Sequence, residues 1–386
     1  MSAANPPEHR DGGAEGRPAA APGAAQAGTR TYRVGIIGCG GISNAHLRAY
    51  RQIPAVEVVA GADVSDAVRQ DRVSRTDELG IPRMYAGAEE MLREARPDIV
   101  SICTWPTLRP ELTELACAAG VKAILAEKPM AVDLAGCDRM IAAAERTGTL
   151  LVVGHQRRFR ERYVKARELL DSGAIGEVVQ ITGYGSADLL SSTTHTVDLI
   201  RFLLKDDEAE WVIGQIDLRP QTRRNAPTGY QRWEETGMRY GHHVESGAFA
   251  LIQFKGGARA TVESGIIQRQ GKGGWPMTVY GTEGVIEVGP DRPAEGEPML
   301  RARLKGQAER IGINATANSG FKEEIEAIIS ALDGGPPHPL HARSARHVHE
   351  ILMAIFESAR RRARVDLPLE VTEHPLEAMI AAGTVG

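Results

Sequence analysis

The sequence predicts an α/β protein whose first half forms a parallel, doubly wound sheet. Three observations support this fold class. Short apolar runs alternate with helical segments, which is the pattern of a parallel sheet covered by helices. The first apolar run leads through a glycine-rich turn into a helix. The composition, with 42% hydrophobic and 25% charged residues, is typical of a globular protein, and 386 residues suffice for two or three domains.

The charge and the cysteines argue against two classes of partner. Lys and Arg number 46 against 50 Asp and Glu, so the formal net charge is −4 and no large positive field favours a nucleic acid. The cysteines are scattered without a CxxC pair, and we interpret them as reduced thiols rather than metal ligands: Cys39, Cys103, Cys117 and Cys137. We therefore expect neither nucleic acid nor a metal ion.

Residues 1–30 differ from the rest of the chain. They contain 9 Ala, 5 Gly and 4 Pro but no aromatic residue, Val, Ile or Leu. Such a segment buries too little apolar surface to offset its ordering entropy, so we expect a disordered tail. It also lacks the apolar stretch of a signal peptide, and no later run approaches the roughly 20 apolar residues of a membrane span. The sequence thus predicts a cytoplasmic protein.

Ordered structure is expected to begin with a strand at 32–37, which runs into a glycine-rich turn and then a helix. Gly38 permits the tight turn, and Gly40 lets the backbone approach a pyrophosphate. Ser43 takes the third small position, where the helix packs closely. The free amide groups at the start of this helix favour a phosphate's negative charge. The turn is therefore a candidate dinucleotide site, formed by Gly38, Cys39, Gly40, Gly41, Ile42 and Ser43.

An aspartate follows the second predicted strand, at 56–62. Asp63 comes some 20 residues after the glycine turn, the spacing at which a carboxylate binds both ribose hydroxyls of NAD and repels a 2′-phosphate. Its alternative role is a helix cap. Arg69 and Arg72 lie nearby and keep NADP as the less favoured cofactor.

Three further strands are predicted at 99–104, 123–126 and 150–153, with helices at 111–119 and 134–146 between them. Ligands of doubly wound sheets bind at the carboxyl ends of the strands. The residues expected around this crevice are Gly38, Asp63, Thr104, Glu127 and Gly154.

In the second half of the chain, the sequence predicts a series of strands followed by helices. Strand-like runs are predicted at 178–182, 211–218, 248–254, 258–263 and 277–280, with a hairpin turn at 255–257. Two amphipathic helices, with apolar faces over 321–332 and 348–359, are expected to finish the chain.

Several motifs resemble those of the Gfo/Idh/MocA oxidoreductase family, named for glucose-fructose oxidoreductase and inositol dehydrogenase. The resemblance runs from Tyr32 to about Leu369. It rests on the glycine turn with His46 and on five later segments: Ala126–Ala131, Gly154–Phe159, Gly173–Val178, His195–Leu199 and Tyr280–Gly284.

The resemblance implies an N-terminal Rossmann dinucleotide-binding domain at 31–154. It implies a C-terminal α/β domain at 155–386, with an open, mostly antiparallel sheet that serves substrate binding and oligomerisation, as a homodimer or homotetramer. The implied enzyme is an NAD(P)-dependent dehydrogenase that moves a hydride between nicotinamide and a secondary alcohol of a sugar, nucleotide sugar or cyclitol, with 3-keto sugars among the products. NAD is the favoured cofactor.

Two alternative functions stay open. A redox-neutral enzyme of the glycosidase or dismutase type recycles a bound NAD within each turnover. A non-enzymatic protein uses the same fold to sense NAD or a sugar.

The resemblance assigns the chemistry to Lys128 and His195. Lys128 corresponds to the family's catalytic lysine, which contacts the substrate oxygen. A charged lysine is not a base, so it needs a lowered pKa or a basic neighbour. His195, at the start of a predicted helix over 195–204, is expected to be the general base because histidine's usual pKa suits proton transfer at neutral pH. Its alternative role is a capping or core histidine.

The sequence departs from the family pattern at Ser191, because an aspartate is expected four residues before the histidine. Asp188 supplies an acid three residues earlier. Of the two arginines after the strand at 150–153, Arg157 is favoured for substrate, and Arg158 is interpreted as a surface salt-bridge residue. The expected substrate contacts are Lys128, Arg157, Asp188, Ser191 and His195.

Another family element, Thr-Pro-Asn followed by a histidine, is altered here at 104–109. Thr104 and Trp105 are still expected to contact the cofactor, together with Glu127 and Lys128. For Trp105, apolar packing of the loop is an equal alternative.

The most individual segment is Arg219–His243, which combines arginines with aromatic residues. Arginines bind phosphates and aromatic rings stack on sugars, so this segment is a candidate for recognising a phosphorylated or nucleotide-linked sugar. An oligomer contact or a surface loop is an equal alternative. His242 and His243 predict no metal site, because adjacent side chains on a strand point apart.

Overall fold

The computed structural model describes residues 31–218, 237–265, 275–290, 293 and 295–384. The first sheet has six strands in the order β3-β2-β1-β4-β5-β6, and all its pairs are parallel. This confirms the doubly wound α/β fold. Its strands are β1 (Tyr32–Ile37), β2 (Val56–Ala62), β3 (Met84–Tyr85), β4 (Ile99–Ile102), β5 (Ala123–Ala126) and β6 (Leu150–Val153).

The helices of this first sheet begin and end at local signals in the sequence. Ser65 and Asp133 accept hydrogen bonds from the backbone amides of the first turns of α2 and α5. Gly148, at a φ of 71°, ends α5. The five helices are α1 (Ser43–Tyr50), α2 (Asp66–Ser74), α3 (Ala88–Ala95), α4 (Arg109–Ala118) and α5 (Leu134–Thr147).

A second sheet follows, and its strand order is β16-β15-β14-β13-β7-β12-β11-β8-β17. Of its described pairs, β12–β7 is parallel and the rest are antiparallel, which confirms a mostly antiparallel sheet. Its strands are β7 (Val178–Gly185), β8 (Ala209–Asp217), β11 (Gly247–Phe254), β12 (Arg259–Gly265), β13 (Met277–Gly281), β14 (Val285–Val288), β15 (Leu300–Arg303), β16 (Ile311–Ile313) and β17 (Val365–Asp366). A separate hairpin is formed by β9 (Met238–Arg239) and β10 (His242–His243).

Helices α6 (Glu161–Asp171), α7 (Thr194–Leu203), α8 (Phe321–Leu332), α9 (Ala342–Arg361) and α10 (Pro375–Ala381) complete the described fold. The expectation that two helices finish the chain was wrong, because α10 follows α9. His374 accepts a hydrogen bond from the amide of Leu376, and Pro375 starts the helix. This helix has only seven residues, too few for a clear helical period.

Residues from the end of the chain return to the first sheet. Phe321, Ile325 and Leu340 belong to the same buried cluster as Val34 and Ile36 of β1. The Tyr32 hydroxyl donates to Asp333 at 2.6 Å. The core of the first sheet therefore includes residues from both halves of the sequence.

The four cysteines are free and buried, and burial raises the pKa of the Cys39 thiol to about 12. In the described part of the chain, no helix combines the length and apolar character needed to cross a membrane.

Candidate active site

The glycine turn after β1 has two kinds of glycine. Gly38 has a φ of 83°, and a side chain there would place Cβ 2.9 Å from Thr104 Cγ2. Gly40 and Gly41 are exposed, and a Cβ at either position meets no atom within 4 Å in the described structure. Packing thus requires glycine at position 38, whereas the open space beside positions 40 and 41 suits a ligand that approaches the backbone.

Asp63, at the end of β2, stabilises this turn by hydrogen bonds. One carboxylate oxygen accepts a hydrogen bond from the amide of Cys39 at 2.8 Å, and the other accepts one from the amide of Ser65 at 2.9 Å. Ser65, not Asp63, caps α2. The half-buried Asp63 carboxylate therefore lies at the turn, where a ribose of a bound dinucleotide is expected.

Arg72 holds the turn from the other side. Its guanidinium is buried and donates to the carbonyl oxygen of Cys39, at 2.8 Å from Nη2, and to the side chains of Ser43 and Asn44. Arg69 donates to the carbonyl oxygen of Asp63 at 2.8 Å. Arg69 and Arg72, the two arginines near a possible 2′-phosphate of NADP, therefore both donate hydrogen bonds to groups of the protein itself.

These residues fit a dinucleotide. The Thr104 hydroxyl, at the carboxyl end of β4, is buried and has no hydrogen-bond partner among the described residues. It lies beside Gly38, where the sheet opens. Backbone amides of the turn, the Asp63 carboxylate and this orphaned hydroxyl are groups that phosphates, ribose hydroxyls and a carboxamide can satisfy.

Lys128 extends from the end of β5 and is half-buried. Its Nζ donates to the carbonyl oxygen of Ser191 at 2.8 Å. The preceding residue, Glu127, accepts the Lys128 amide at 3.1 Å and lies 3.0 Å from His46 Nε2. Burial lowers the pKa of Lys128 to about 8, although the Glu127 charge opposes the shift. A neutral amine is therefore accessible near pH 8.

His195 lies in the first turn of α7 and is buried. Its ring makes edge contacts with Trp275 and His155, at centroid distances of 5.3 and 5.6 Å. Its Nδ1 is buried without a hydrogen-bond partner among the described residues. Burial, and then the positive charges of Arg157 and Lys128, hold the pKa of His195 well below its usual value, so the ring is neutral at pH 7.

Ser191 and Asp188 meet a basic side chain that comes from the hairpin β9–β10. The Asp188 carboxylate accepts the Ser191 amide at 2.8 Å and also the Ser191 hydroxyl. Arg239 Nη1 donates to Asp188 Oδ2 and to Ser191 Oγ, both at 2.7 Å. Asp188 is buried and committed to these contacts. Lys128 and Arg239 therefore contact the same residue, Ser191.

The two arginines after β6 differ in their surroundings. The guanidinium of Arg157 lies 3.1 Å from the centroid of the Trp275 ring, next to His195. Arg158 is buried and binds Asp198 through Nε at 2.9 and 3.0 Å, with Asp206 as a second partner. The salt bridge predicted for Arg158 is present, but its predicted position at the surface was wrong, because the side chain is buried against Asp198 and Asp206.

Trp105 is 56% exposed at the mouth of the site. Its ring lies 6.2 Å from that of Tyr240, in the turn of the hairpin β9–β10. Most of the predicted recognition segment, residues 219–236, lies outside the described residues. In the part of this segment that is described, Arg239 contacts Ser191, and His243 Nδ1 lies 2.7 Å from Glu377 Oε2.

Sequence reasoning missed two contributors to the site. Trp275 was not considered, and Arg239 was covered only by the predicted recognition segment Arg219–His243. Arg239 meets an aspartate 51 residues earlier, and Trp275 donates to the carbonyl oxygen of Ser192, 83 residues earlier. Neither pairing leaves a local pattern in the sequence. Among the described residues, no group of three or more His, Cys, Asp or Glu is arranged to hold a metal ion.

Comparison with known proteins identifies two family models in the chain. Residues 32–155 match the Gfo/Idh/MocA model described as "Oxidoreductase family, NAD-binding Rossmann fold". Residues 185–367 match the companion model, "Oxidoreductase family, C-terminal alpha/beta domain".

Similar proteins include dehydrogenases of sugars and cyclitols. A D-apiose dehydrogenase from Paraburkholderia graminis is 30% identical over 92% of this chain and 95% of its own length. An inositol 2-dehydrogenase from Saccharopolyspora erythraea is 30% identical over 79% of this chain and 88% of its own length. The crystal structure of the WlbA dehydrogenase from Bordetella pertussis, solved with NADH and UDP-GlcNAcA, has the same fold: its TM-score is 0.69 at 20% identity, over 88% of this chain and 100% of that one.

Proposed function

The chain belongs to the Gfo/Idh/MocA family of NAD-binding oxidoreductases, and from this premise we propose that it oxidises a secondary alcohol of a sugar or cyclitol with NAD. One observation carries the proposal. Lys128 Nζ, beside the carboxyl end of the first sheet, donates to the carbonyl oxygen of Ser191, four residues before His195, and the Lys128 charge helps to lower the pKa of His195. The named activities of the relatives support the choice of sugar or cyclitol as substrate class.

In this proposal the glycine turn, Asp63 and Thr104 hold the cofactor. NAD supplies the hydride acceptor when it is bound. The backbone amides at 39–43 bind the diphosphate, and Asp63 binds a ribose. Trp105, which is exposed beside the site, would contact the cofactor. The protein's remaining task is to hold the substrate carbon and to move the hydroxyl proton.

We assign the proton transfer to Lys128 rather than to His195. A general base works best when its pKa lies near the operating pH. The pKa of Lys128, about 8, meets this condition, whereas that of His195 is held well below its usual value. His195 then orients the substrate hydroxyl as a neutral ring. This exchanges the roles expected from the sequence.

The activity test mixes the purified protein with NAD and a panel of aldoses, uronates and inositols and follows NADH absorbance. We expect turnover with at least one member. The proposal is wrong if a fluorescence titration with NADH shows that the protein does not bind the cofactor. NAD that co-purifies without net NADH formation would instead select the redox-neutral alternative.

Variants of Lys128 test its role as base. The neutral amine is the active form, so kcat for oxidation should rise as pH increases through about 8. We expect Lys128→Met to lower kcat by about 10²- to 10⁴-fold and to remove this rise. His195→Asn should lower kcat but keep the rise of kcat with pH.

Lys305→Met is the matched control, because Lys305 is 61% exposed and pairs with Glu283 on the surface. If the pH profile of Lys128→Met keeps the wild-type midpoint and that of His195→Asn loses it, the base is His195.

A further inference from the structure

Residues 188–193, called here the Asp188 turn, lead from β7 toward α7. Their backbone contacts one residue of the proposed mechanism and precedes the helix that carries the other. Lys128 Nζ donates to the carbonyl oxygen of Ser191 at 2.8 Å, and His195 lies in the first turn of α7. The shape of the Asp188 turn therefore fixes the carbonyl oxygen that Lys128 contacts relative to His195.

Asp188 holds this turn through both its side chain and its backbone. One carboxylate oxygen accepts a hydrogen bond from the amide of Ser191 at 2.8 Å, as in the cap of a helix, and the other accepts one from the Ser191 hydroxyl. The backbone carbonyl oxygen of Asp188 accepts the amides of Ser192 and Thr193 at 3.1 and 3.2 Å. Asp188 is buried, so water has little access to these contacts. The residue therefore determines how the peptide groups around Ser191 are oriented.

Arg239 keeps the Asp188 side chain in place. Its Nη1 donates to Asp188 Oδ2 and to Ser191 Oγ, both at 2.7 Å. The side chains of Arg239 and Asp188 are 12% and 0% exposed and form an ion pair. Asp188 thus compensates the charge of Arg239, and the pair brings no net charge to Ser191.

Residues next to the second sheet hold both ends of the Asp188 turn. Near its start, the amide of Leu189 donates to the buried Glu245 at 2.6 Å. Near its end, Trp275 Nε1 donates to the carbonyl oxygen of Ser192 at 2.8 Å. The turn is therefore attached to the second sheet, whereas Lys128 reaches it from the end of a strand in the first sheet.

The contact with Ser191 suits a lysine that acts as a base. A neutral amine has two N–H groups and one lone pair, and a carbonyl oxygen accepts an N–H but has no use for the lone pair. With one N–H bound to Ser191, the lone pair is left for the substrate hydroxyl. The carbonyl oxygen also carries no full charge. A carboxylate at this place would favour the charged ammonium form, which has no lone pair.

Burial is the main cause of the lowered pKa of Lys128, and nearby charges modify it. The Glu127 carboxylate acts to raise this pKa, whereas three arginines act to lower it. The groups that interact with the charge of Lys128 are Glu127 after β5, Arg109 on α4, His155 and Arg157 after β6, His195 on α7 and Arg239 on the hairpin β9–β10. The Asp188 turn adds an uncharged acceptor to this set, because Arg239 binds its carboxylate.

We propose that Asp188 is a positioning residue for the base: it holds the Asp188 turn so that the carbonyl oxygen of Ser191 accepts one N–H of Lys128 and leaves the lone pair for the substrate hydroxyl. The inference rests on the function proposed above and concerns the same site. Asp188 acts through Ser191 and does not touch the reacting atoms. The family pattern has an aspartate at position 191, whereas here the acid lies three residues earlier, bound by Arg239.

The first test compares Asp188→Asn with Ser191→Ala. Asparagine forms no ion pair with Arg239, so we expect the turn to shift and kcat to fall about 10- to 100-fold. Because the charge of Arg239 is then uncompensated, the pH at which kcat rises should move below its wild-type value. Ser191→Ala keeps the carbonyl oxygen that Lys128 contacts and should lower kcat less. NADH affinity should stay at the wild-type value in both variants, because the glycine turn is unchanged.

The second test moves the carboxylate without changing the net charge. In the double variant Asp188→Ser with Ser191→Asp, the acid lies on the residue that contacts Lys128. A negative charge nearer the amine favours the ammonium form, so the midpoint of the Lys128 titration should rise by about one pH unit. Labelling of Lys128 by acetic anhydride across pH, quantified by mass spectrometry, measures this midpoint without turnover. Asp366→Asn is the control, because Asp366 is 72% exposed and pairs with Arg364; it should change neither kcat nor the midpoint.

The inference fails if Asp188→Asn keeps the wild-type kcat, or if Ser191→Ala lowers kcat as much as Asp188→Asn does. It also fails if the double variant keeps the wild-type midpoint. A loss of both kcat and NADH affinity in Asp188→Asn, with no shift of the midpoint, would show a merely structural role and would likewise overturn it. Absence of turnover with every sugar overturns the proposed function, whereas the labelling midpoints of the variants still decide the inference about Lys128.

Discussion

A buried acid outside the candidate site makes the stability of this protein depend on pH. Glu324 on α8 is fully buried, and neither carboxyl oxygen has a hydrogen-bond partner among the described residues. Burial raises its pKa well above the usual value, although the charge of His46 opposes the shift. The carboxyl is therefore neutral in the folded protein near pH 7, and ionising it requires a charge in an apolar core.

We expect Glu324→Gln to raise the melting temperature at pH 8 by a few degrees. Because the folded-state pKa of Glu324 is raised, its contribution to stability is complete below the unfolded-state pKa, about 4.3, and is lost as pH rises toward the folded-state pKa. The amide stays neutral throughout, so the gain over wild type should grow with pH. Calorimetry between pH 5 and 9 measures it. Glu326→Gln, at an exposed position of the same helix, is the control, and an equal gain there would contradict the prediction.

Arg72 holds the glycine turn through several hydrogen bonds. It contacts the turn through the Cys39 carbonyl oxygen and Ser43 Oγ, and its described partners include no carboxylate. Arg72→Met should weaken NADH binding by about tenfold or more, since several hydrogen bonds to a charged group are lost. Arg69→Met removes only contacts beside Asp63 and is the control. Equal affinity of wild type and Arg72→Met in a fluorescence titration would refute this role.

At the residue scale, the sequence predicts those site residues that lie in local motifs. Asp63 and Lys128 stand at the ends of predicted strands, and the structure places both at the crevice. The contact between Lys128 and Ser191 spans 63 residues, and that between Arg239 and Asp188 spans 51. Such pairs depend on tertiary packing, which the sequence around each residue does not encode.

At the element scale, replacing glycine by alanine in the turn after β1 should have different effects at positions 38 and 40. Gly38→Ala forces an alanine to a φ of 83°, which costs about 1–2 kcal/mol, and brings its Cβ to 2.9 Å from Thr104. It should lower both thermal stability and NADH affinity. Gly40→Ala meets no atom of the described residues within 4 Å, so it should leave the melting temperature unchanged and lower only the affinity. Equal losses of stability in the two variants would contradict this distinction.

Elements were predictable where the local pattern was strong. The predicted boundaries of β1, β2, β5 and β6 agree with the structure, because each is a short apolar run next to glycine, aspartate or a helix signal. β3 has two residues and α10 has seven, which is too short for a period to show. The hairpin β9–β10 is polar, and its register depends on φ values above 0° at Tyr240 and Gly241. Gly241 suits such a φ, but a tyrosine at position 240 does not predict one.

At the scale of the whole molecule, both halves of the sequence contribute to the buried clusters on the two faces of the first sheet. Phe321, Ile325 and Leu340 join the cluster below β1, and Ala342 and Ala345 join the cluster on the other face of the sheet. The His341 backbone also pairs with Val152 at β6. The first sheet is therefore complete only when the segment 321–345 packs on it.

A fragment that ends at residue 154 should therefore not fold cooperatively. It leaves one face of the first sheet without α8 and exposes apolar side chains. Circular dichroism of residues 31–154 should show a broad thermal transition, and addition of residues 155–386 should sharpen it. A sharp transition of the fragment alone would mean that the first sheet is stable without α8.

The return of α8 to the first sheet also matters while the protein is being made. The Tyr32 hydroxyl meets its partner Asp333 301 residues later in the chain. At typical rates of translation, β1 leaves the ribosome roughly 15 to 60 s before the helix that covers it has been synthesised. During that interval the nascent chain presents an uncovered apolar sheet face, the kind of surface to which chaperones bind. Yield of folded protein should therefore depend on chaperone supply and translation speed more than equilibrium stability suggests.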